Sequence, residues 1–294
     1  MIGLGLDEVI SYSLIDPVEE QKLHPDPDKA LDLPGGPVIL ENSLSSERSL
    51  MRRTLLGSML RTAWTNLRFL ERIAIFELGH VYHKMGTPDL DRAETGVAEP
   101  RHIGALLTGP RQPHWWEDTN RKALDYFDLK GVADALLERL ALNNKVAWAR
   151  GHHPSFHPGR CAQVSLDGKP LGVAGELHPL VREAYDLPDQ PVVLLEWDLD
   201  LLLETARAAD AEKRVGQISN YPPVHEDLAL VMDENIPALD VERAILKAGA
   251  PLVTEAVLFD IYRGAQVGAG KKSLAFALSY HLSLIHISEP TRPY

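Results

Sequence analysis

Asp167-Gly168 stands between two short alternating runs, residues 162–166 and 171–176, and a two-residue Asp-Gly loop in that setting specifies a tight antiparallel hairpin. That one turn sets the class of sheet the chain can build. The apolar runs 72–82, which carries Gly79 near its end, 103–108 and 192–199 read as further strands, and residues 127–140 as a helix with Val132, Leu136, Leu137 and Leu140 on one side. Residues 3–14 read as a helical turn entering a strand at one edge of the sheet, and residues 38–40 as a short strand after a loop holding Pro25, Pro27, Pro34 and Pro37. Strands in hairpins and clusters with a few helices between them specify an antiparallel α+β sheet, not a parallel doubly wound one. No phosphate-binding loop pattern occurs.

Leu55, Leu56, Met59, Leu60, Ala63 and Leu67 recur at spacings of three and four, which predicts one amphipathic helix over 49–69. Arg52, Arg53, Arg61 and Arg68 fall off the apolar stripe and are read as a solvated face. A polar, Ala-rich helix is expected over 200–214, before residues 216–223, where Asn220 and the Pro222-Pro223 pair break regular structure. A domain boundary is placed there, as suits 294 residues. Beyond it the order is strand 227–232, helix 239–248 closed by Gly249, strand 254–262 and strand 273–280, the first two thirds of a ferredoxin-like unit.

The formal charge of −12 repels polyphosphate chains, so any nucleic-acid contact must be local. The single cysteine, Cys161, excludes an internal disulfide and points to a reducing compartment. No apolar run approaches the roughly 18 residues of a membrane span, and the N-terminus lacks a secretory pattern, so a cytoplasmic protein is expected. His152, His153, His157 and Cys161 form the one metal-like cluster. Their spacing of four would align ligands only on a helix, which Pro154, Pro158 and Gly159 break, so these residues are read as a loop entering a strand at Ala162, with His157 and Arg160 in structural hydrogen bonds. No metal site is assigned. His178 is read as a turn cap, and the Trp115-Trp116 pair as packing at the core edge. No Gly-x-Ser-x-Gly elbow occurs, and no catalytic residue is assigned.

The second domain carries the sharper signal. In the segment 259–273, Asp260 and Tyr262 share one side of a strand by period two, beside Arg263, Lys271 and Lys272. An exposed aromatic next to a carboxylate and basic groups can stack a base, read its edge and touch a phosphate. Acids outnumber bases across 216–280, so stacking and shape have to do most of the discrimination.

The pieces GLDEVISYSL, ENSLSSERSLMRRTLLGSMLRTAWTNLR, IFELGHVY, FDLKG, HPGRCAQVSLDGKPLGVAGELHP, YPPVHEDLALV and LFDIYRGAQVGAGKKSLAFALSY, in that order, resemble the C-terminal half of the bacterial phenylalanyl-tRNA synthetase β subunit. The resemblance covers nearly the whole chain. It implies a catalytically silent, class II synthetase-like antiparallel module over 1–212, a linker over 213–218 and an incomplete ferredoxin-fold anticodon-binding domain over 219–280. It also implies that the fragment is inactive alone and holds no cofactor, ATP and Mg2+ being used by the complete enzyme through an α subunit, in an assembly of two α and two β subunits that acts on tRNA(Phe). The family's anticodon-contacting positions carry over to Asp260, Tyr262 and Ser273. His225 and Glu226 stand where the family usually has arginine.

The closing residues 281–294 are too few for a second helix and fourth strand, and 283–294 look like a translated adapter tail. The native chain is therefore expected to continue past Tyr280, and Leu274, Phe276 and Leu278, or their alternating neighbours, to be less buried than in a complete domain. The competing readings are a free-standing RNA-binding module and a metal-dependent hydrolase built on residues 152–161.

Overall fold

The computed structural model describes residues 1–26, 28–29, 31, 33–43, 45–86, 95–112, 116, 121–212, 222–264 and 266–280. The chain divides into two compact units, Met1–Lys213 and Arg214–Tyr294. The expectations for Trp115 and for residues 281–294 fall outside the described residues.

In the first unit, β1 (Asp7–Glu8), β5 (Ile73–His80), β8 (Arg101–Thr108), β9 (Val146–Arg150), β10 (Phe156–Leu166), β11 (Lys169–Leu177) and β12 (Val192–Asp198) form one sheet in the order β1-β5-β8-β12-β11-β10-β9. Every neighbouring pair is antiparallel except β1 with β5. The β10–β11 hairpin turns at Asp167 (φ 49°) and Gly168 (φ 78°), the two positive φ values that a type I′ loop requires. Both faces are covered, so β5 and β12 read as continuous apolar runs and not as alternating ones. On one face Phe76, Ala105, Leu195 and Trp197 pack under Leu129, Ala133 and Leu137 of α3 (Tyr126–Arg139) and Leu202 of α5 (Leu199–Glu212). On the other, Ile73, Ile75, Leu106 and Leu194 meet Leu56, Met59, Leu60 and Ala63 of α2 (Leu56–Asn66) and Val181 of α4 (Pro179–Ala184). Gly104 lets α2 approach β8, since a Cβ there would stand 2.5 Å from the Met59 sulfur.

The helix expected over 49–69 begins at Leu56 instead. Leu50–Met51 is drawn out as β4 between β2 (Leu14–Ile15) and β3 (Val38–Ile39). The N-terminus of α2 is capped by tertiary structure: Leu55 N donates to Glu196 on β12 at 3.1 Å, and Leu56 N to Thr54 Oγ1 at 3.1 Å. The solvated-face reading of the four arginines is corrected for two of them. Arg52 and Arg53 are 2% and 7% exposed, because each has a carboxylate waiting: Arg52 binds Glu77 at 2.7 Å, and Arg53 binds Glu20 of α1 (Pro17–Gln21) at 2.5 Å. Arg61 on α2 and Arg68 just past its end do lie exposed, stacked over Trp64 at 5.3 and 3.8 Å.

Other expectations shift in smaller ways. The N-terminal strand is two short pieces, β1 and β2, with β1 at the sheet edge as read. Strand β9 and the two-stranded β6 (His83–Lys84) and β7 (Val97–Ala98) pair carry no strong pattern in the sequence and were not anticipated. β10 starts at Phe156, not Ala162, with an irregularity between Phe156 and Cys161. Trp116 is 77% exposed and packs no core edge.

In the second unit, β13 (Val224–Asp233), α6 (Ala238–Gly249), β14 (Val253–Tyr262) and β15 (Lys271–Tyr280) form a three-stranded antiparallel sheet in the order β13-β15-β14, with α6 on one face. This is the order of the first three strands of a ferredoxin-like unit. The alternating neighbours Ser273, Ala275, Ala277 and Ser279 are half-buried, whereas Leu274, Phe276 and Leu278 are 0%, 0% and 4% exposed. Val241, Ile245 and Leu246 of α6, with Leu228, Met232 and Leu258 of the flanking strands, are packed against them.

Candidate nucleic-acid interface

The face of the second sheet opposite α6 is laid out by strand register. Alternate residues of β15 point away from the buried Leu274, Phe276 and Leu278, so Lys271, Ser273, Ala275, Ala277 and Ser279 line this open face. Across it run four rows of three: His225–Ser279–Glu255, Asp227–Ala277–Val257, Ala229–Ala275–Asp260 and Val231–Ser273–Tyr262.

Asp260, Tyr262 and Ser273 are thus brought onto one surface, with Tyr262 directly opposite Ser273. A bulge makes this possible. The alternation that carries Glu255 and Val257 onto the open face would continue to Phe259 and Ile261, but the register steps between Leu258 and Asp260, so that Asp260 pairs with Ala275. Period two between Asp260 and Tyr262 is legible in the sequence; the step that aims both at the open face is not. Tyr262 is 43% exposed, and a side chain on Gly264 would overlap its hydroxyl, so this glycine makes room for the ring.

The basic candidates do not act as one group. Arg263 is committed to Glu234, with Nη2–Oε1 at 2.8 Å and Nε–Oε1 at 3.0 Å. The hydrogen bond from Arg263 holds the Glu234 carboxyl below its usual range, and the same bond raises the guanidinium. Lys272 points to the α6 side, is 8% exposed, and donates to the Glu234 carbonyl at 2.9 Å. Arg263 thereby ties the loop after β13 to the loop after β14, and Lys272 ties it to β15. Lys271 alone of the three stands exposed on the open face, opposite Asp233. The surface therefore offers an aromatic ring, a carboxylate and a hydroxyl over a floor of small side chains. That suits stacking and edge reading of an unstacked base, not binding by charge.

His153, His157 and His178 serve local structure. His153 Nδ1 accepts from Ser155 N at 3.2 Å, and His157 Nδ1 from Gly159 N at 3.1 Å. His178 caps α4 by accepting from Leu180 N at 3.2 Å, as its sequence setting suggested, and Arg160 pairs with Glu176 at 2.7 Å. Among the described residues no group of three His, Cys, Asp or Glu side chains is placed to hold a metal, and no described helix is long and apolar enough to cross a membrane.

Residues 1–199 match the model of the phenylalanyl-tRNA synthetase β-chain CLM domain, and residues 219–284 that of the ferredoxin-fold anticodon-binding domain. The chain is 35% identical over 281 residues to the phenylalanine–tRNA ligase β subunit of Geobacillus kaustophilus, covering 95% of this chain and 32% of that protein. It is 38% identical over 276 residues to the β subunit of Thiobacillus denitrificans, covering 94% of this chain and 31% of that one. The chain thus spans about a third of the length of these relatives. A crystal structure of pyrrolysyl-tRNA synthetase from Desulfitobacterium hafniense shares the fold with a TM-score of 0.50 at 17% identity, over 70% of this chain and 65% of that one. With both parts matched in order and relatives aligned over about 95% of its length, the chain belongs to the phenylalanyl-tRNA synthetase β-chain family.

Proposed function

We propose that this chain is a non-catalytic part of a phenylalanine–tRNA ligase, with a first unit that packs on the catalytic α subunit and a second that contacts the anticodon of tRNA(Phe). The observation that carries the reading is the open sheet face, where register and a bulge gather Asp260, Tyr262 and Ser273 opposite a helix-covered core. Tyr262 stacks a base, while Asp260 and Ser273 hydrogen-bond its edge.

The first unit supports a scaffold role. Its buried carboxylates Glu20, Glu77 and Glu196 are each engaged by Arg53, Arg52, or Thr54 with His102, and so are spent on holding the fold. ATP and Mg2+ are then handled by the α subunit, in a cytoplasmic heterotetramer of two α and two β subunits. Co-expression with the α subunit of the source organism tests this. A stable complex that charges tRNA(Phe), together with no phenylalanine-dependent ATP–pyrophosphate exchange by this chain alone, is the expected result; exchange by the isolated chain would overturn it.

A further inference from the structure

The row at the far end of the open face, His225–Ser279–Glu255, joins one side chain from each strand of the second sheet. Ser279 Oγ donates to Glu255 Oε2 at 3.3 Å and lies 3.2 Å from His225 Nδ1. The Glu255 carboxylate has no proton to give, so the serine proton goes to it, and the serine oxygen takes the Nδ1–H of the imidazole. With that proton on Nδ1, the neutral tautomer keeps Nε2 as an acceptor, beside the remaining lone pairs of Glu255. Asp227 stands in the next row on the same face. The row therefore presents hydrogen-bond acceptors in a negative setting, which rejects phosphate and suits a donor.

Ser279 lies six positions along β15 from Ser273, about 20 Å at strand spacing. Between them lies a floor of Ala229, Ala275 and Ala277, flanked by Val231 and Val257. A sheet face of this kind carries two or three unstacked bases. We propose that His225, Ser279 and Glu255 form a second RNA subsite, which accepts a hydrogen bond from an exocyclic amine or a ribose 2′-hydroxyl of a nucleotide one or two places along the strand from the one on Tyr262. This rests on the anticodon reading and adds to it a second, acceptor-lined end.

The test is binding of the full chain to the anticodon stem–loop RNA of tRNA(Phe), followed by fluorescence anisotropy, with urea midpoints to confirm that each variant folds. Ser279→Ala and Glu255→Gln are each expected to weaken binding about threefold to tenfold, the worth of one net hydrogen bond. Stem–loops with single 2′-deoxy positions, and others with single adenines replaced by purine, separate the two donors: one such change should weaken binding to the unchanged chain and have no further effect on Glu255→Gln. If both protein variants bind as tightly as the unchanged chain while Tyr262→Ala weakens binding, the second subsite is wrong and the anticodon reading stands. If Tyr262→Ala also binds normally, or the unchanged chain does not bind, both fall.

Discussion

Arg52 Nη1 donates to Glu77 Oε1 at 2.7 Å with both side chains almost sealed from solvent, and the Ser11 hydroxyl closes the group by accepting from Arg52 at 2.7 Å and donating to Glu77. Two buried opposite charges are thus paired and hydrogen-bonded at β5. Arg52→Ala leaves the Glu77 carboxylate buried and unpaired, and is expected to cost about 3–5 kcal/mol in urea unfolding. Arg52→Met combined with Glu77→Leu should recover most of that loss, because two apolar groups of similar volume need no partner. A single variant that unfolds like the unchanged chain would show that the pair is not a stabilising closure.

The His102–Glu196 pair sets a window of pH for stability. Burial alone would lower His102, but its 2.7 Å hydrogen bond to Glu196 and the nearby Asp198 and Asp200 outweigh burial and hold the ring above its usual 6.5. Burial alone would raise Glu196, and bonds from His102, Thr54 and Leu55 N hold it below its usual 4.5. A raised histidine gives its full stabilisation below 6.5 and loses it as pH rises through the folded value. A lowered glutamate gives its share above 4.5 and loses it as pH falls through its folded value. Unfolding free energy measured across pH should therefore decline on the alkaline side of this window, and His102→Gln should flatten that decline; an unaltered slope in the variant would assign it to other groups.

Tyr262→Ala removes a base-stacking surface and should weaken binding to the anticodon stem–loop by about 1–3 kcal/mol, with little change in unfolding because the ring is 43% exposed. Equal affinity of variant and unchanged chain would return Tyr262 to a packing role.

Gly264→Ala tests the placement of that ring. The added methyl group overlaps the Tyr262 hydroxyl, the mobile end of a side chain, so the fold should accommodate it at a cost within about 0.5 kcal/mol while RNA binding weakens, by less than in Tyr262→Ala. Normal binding would mean that the ring has room to settle elsewhere.

What the sequence disclosed was local. The Asp167-Gly168 turn, the Leu–Ala stripe of α2 and the strand–helix–strand–strand order of the second unit are each set by neighbours in the chain, and each stands in the structure within a few residues of its expected place. Arg52 and Arg53 were misread because their burial depends on carboxylates 25 and 33 positions away, and a charged residue off an apolar stripe gives no sign of a distant partner. The same holds for the open face. Tyr262 and Asp260 stood out by residue type, whereas the row through Ser279 exists only once three strands are in register.

Thr54 and Glu196, 142 positions apart, are joined by a hydrogen bond at the start of α2. On a ribosome, Arg52, Arg53 and the whole of α2 emerge long before that carboxylate is made. Glu20 and Glu77 are supplied early, but the cap arrives with the last strand to join the sheet, so the helix that lies on β5 and β8 is completed from the far end of the unit. Chains released before residue 196 should then be cut within residues 52–66 by a dilute protease, and chains released after α5 should resist. Equal resistance of the two would mean that the early portion holds itself together without its late keystone.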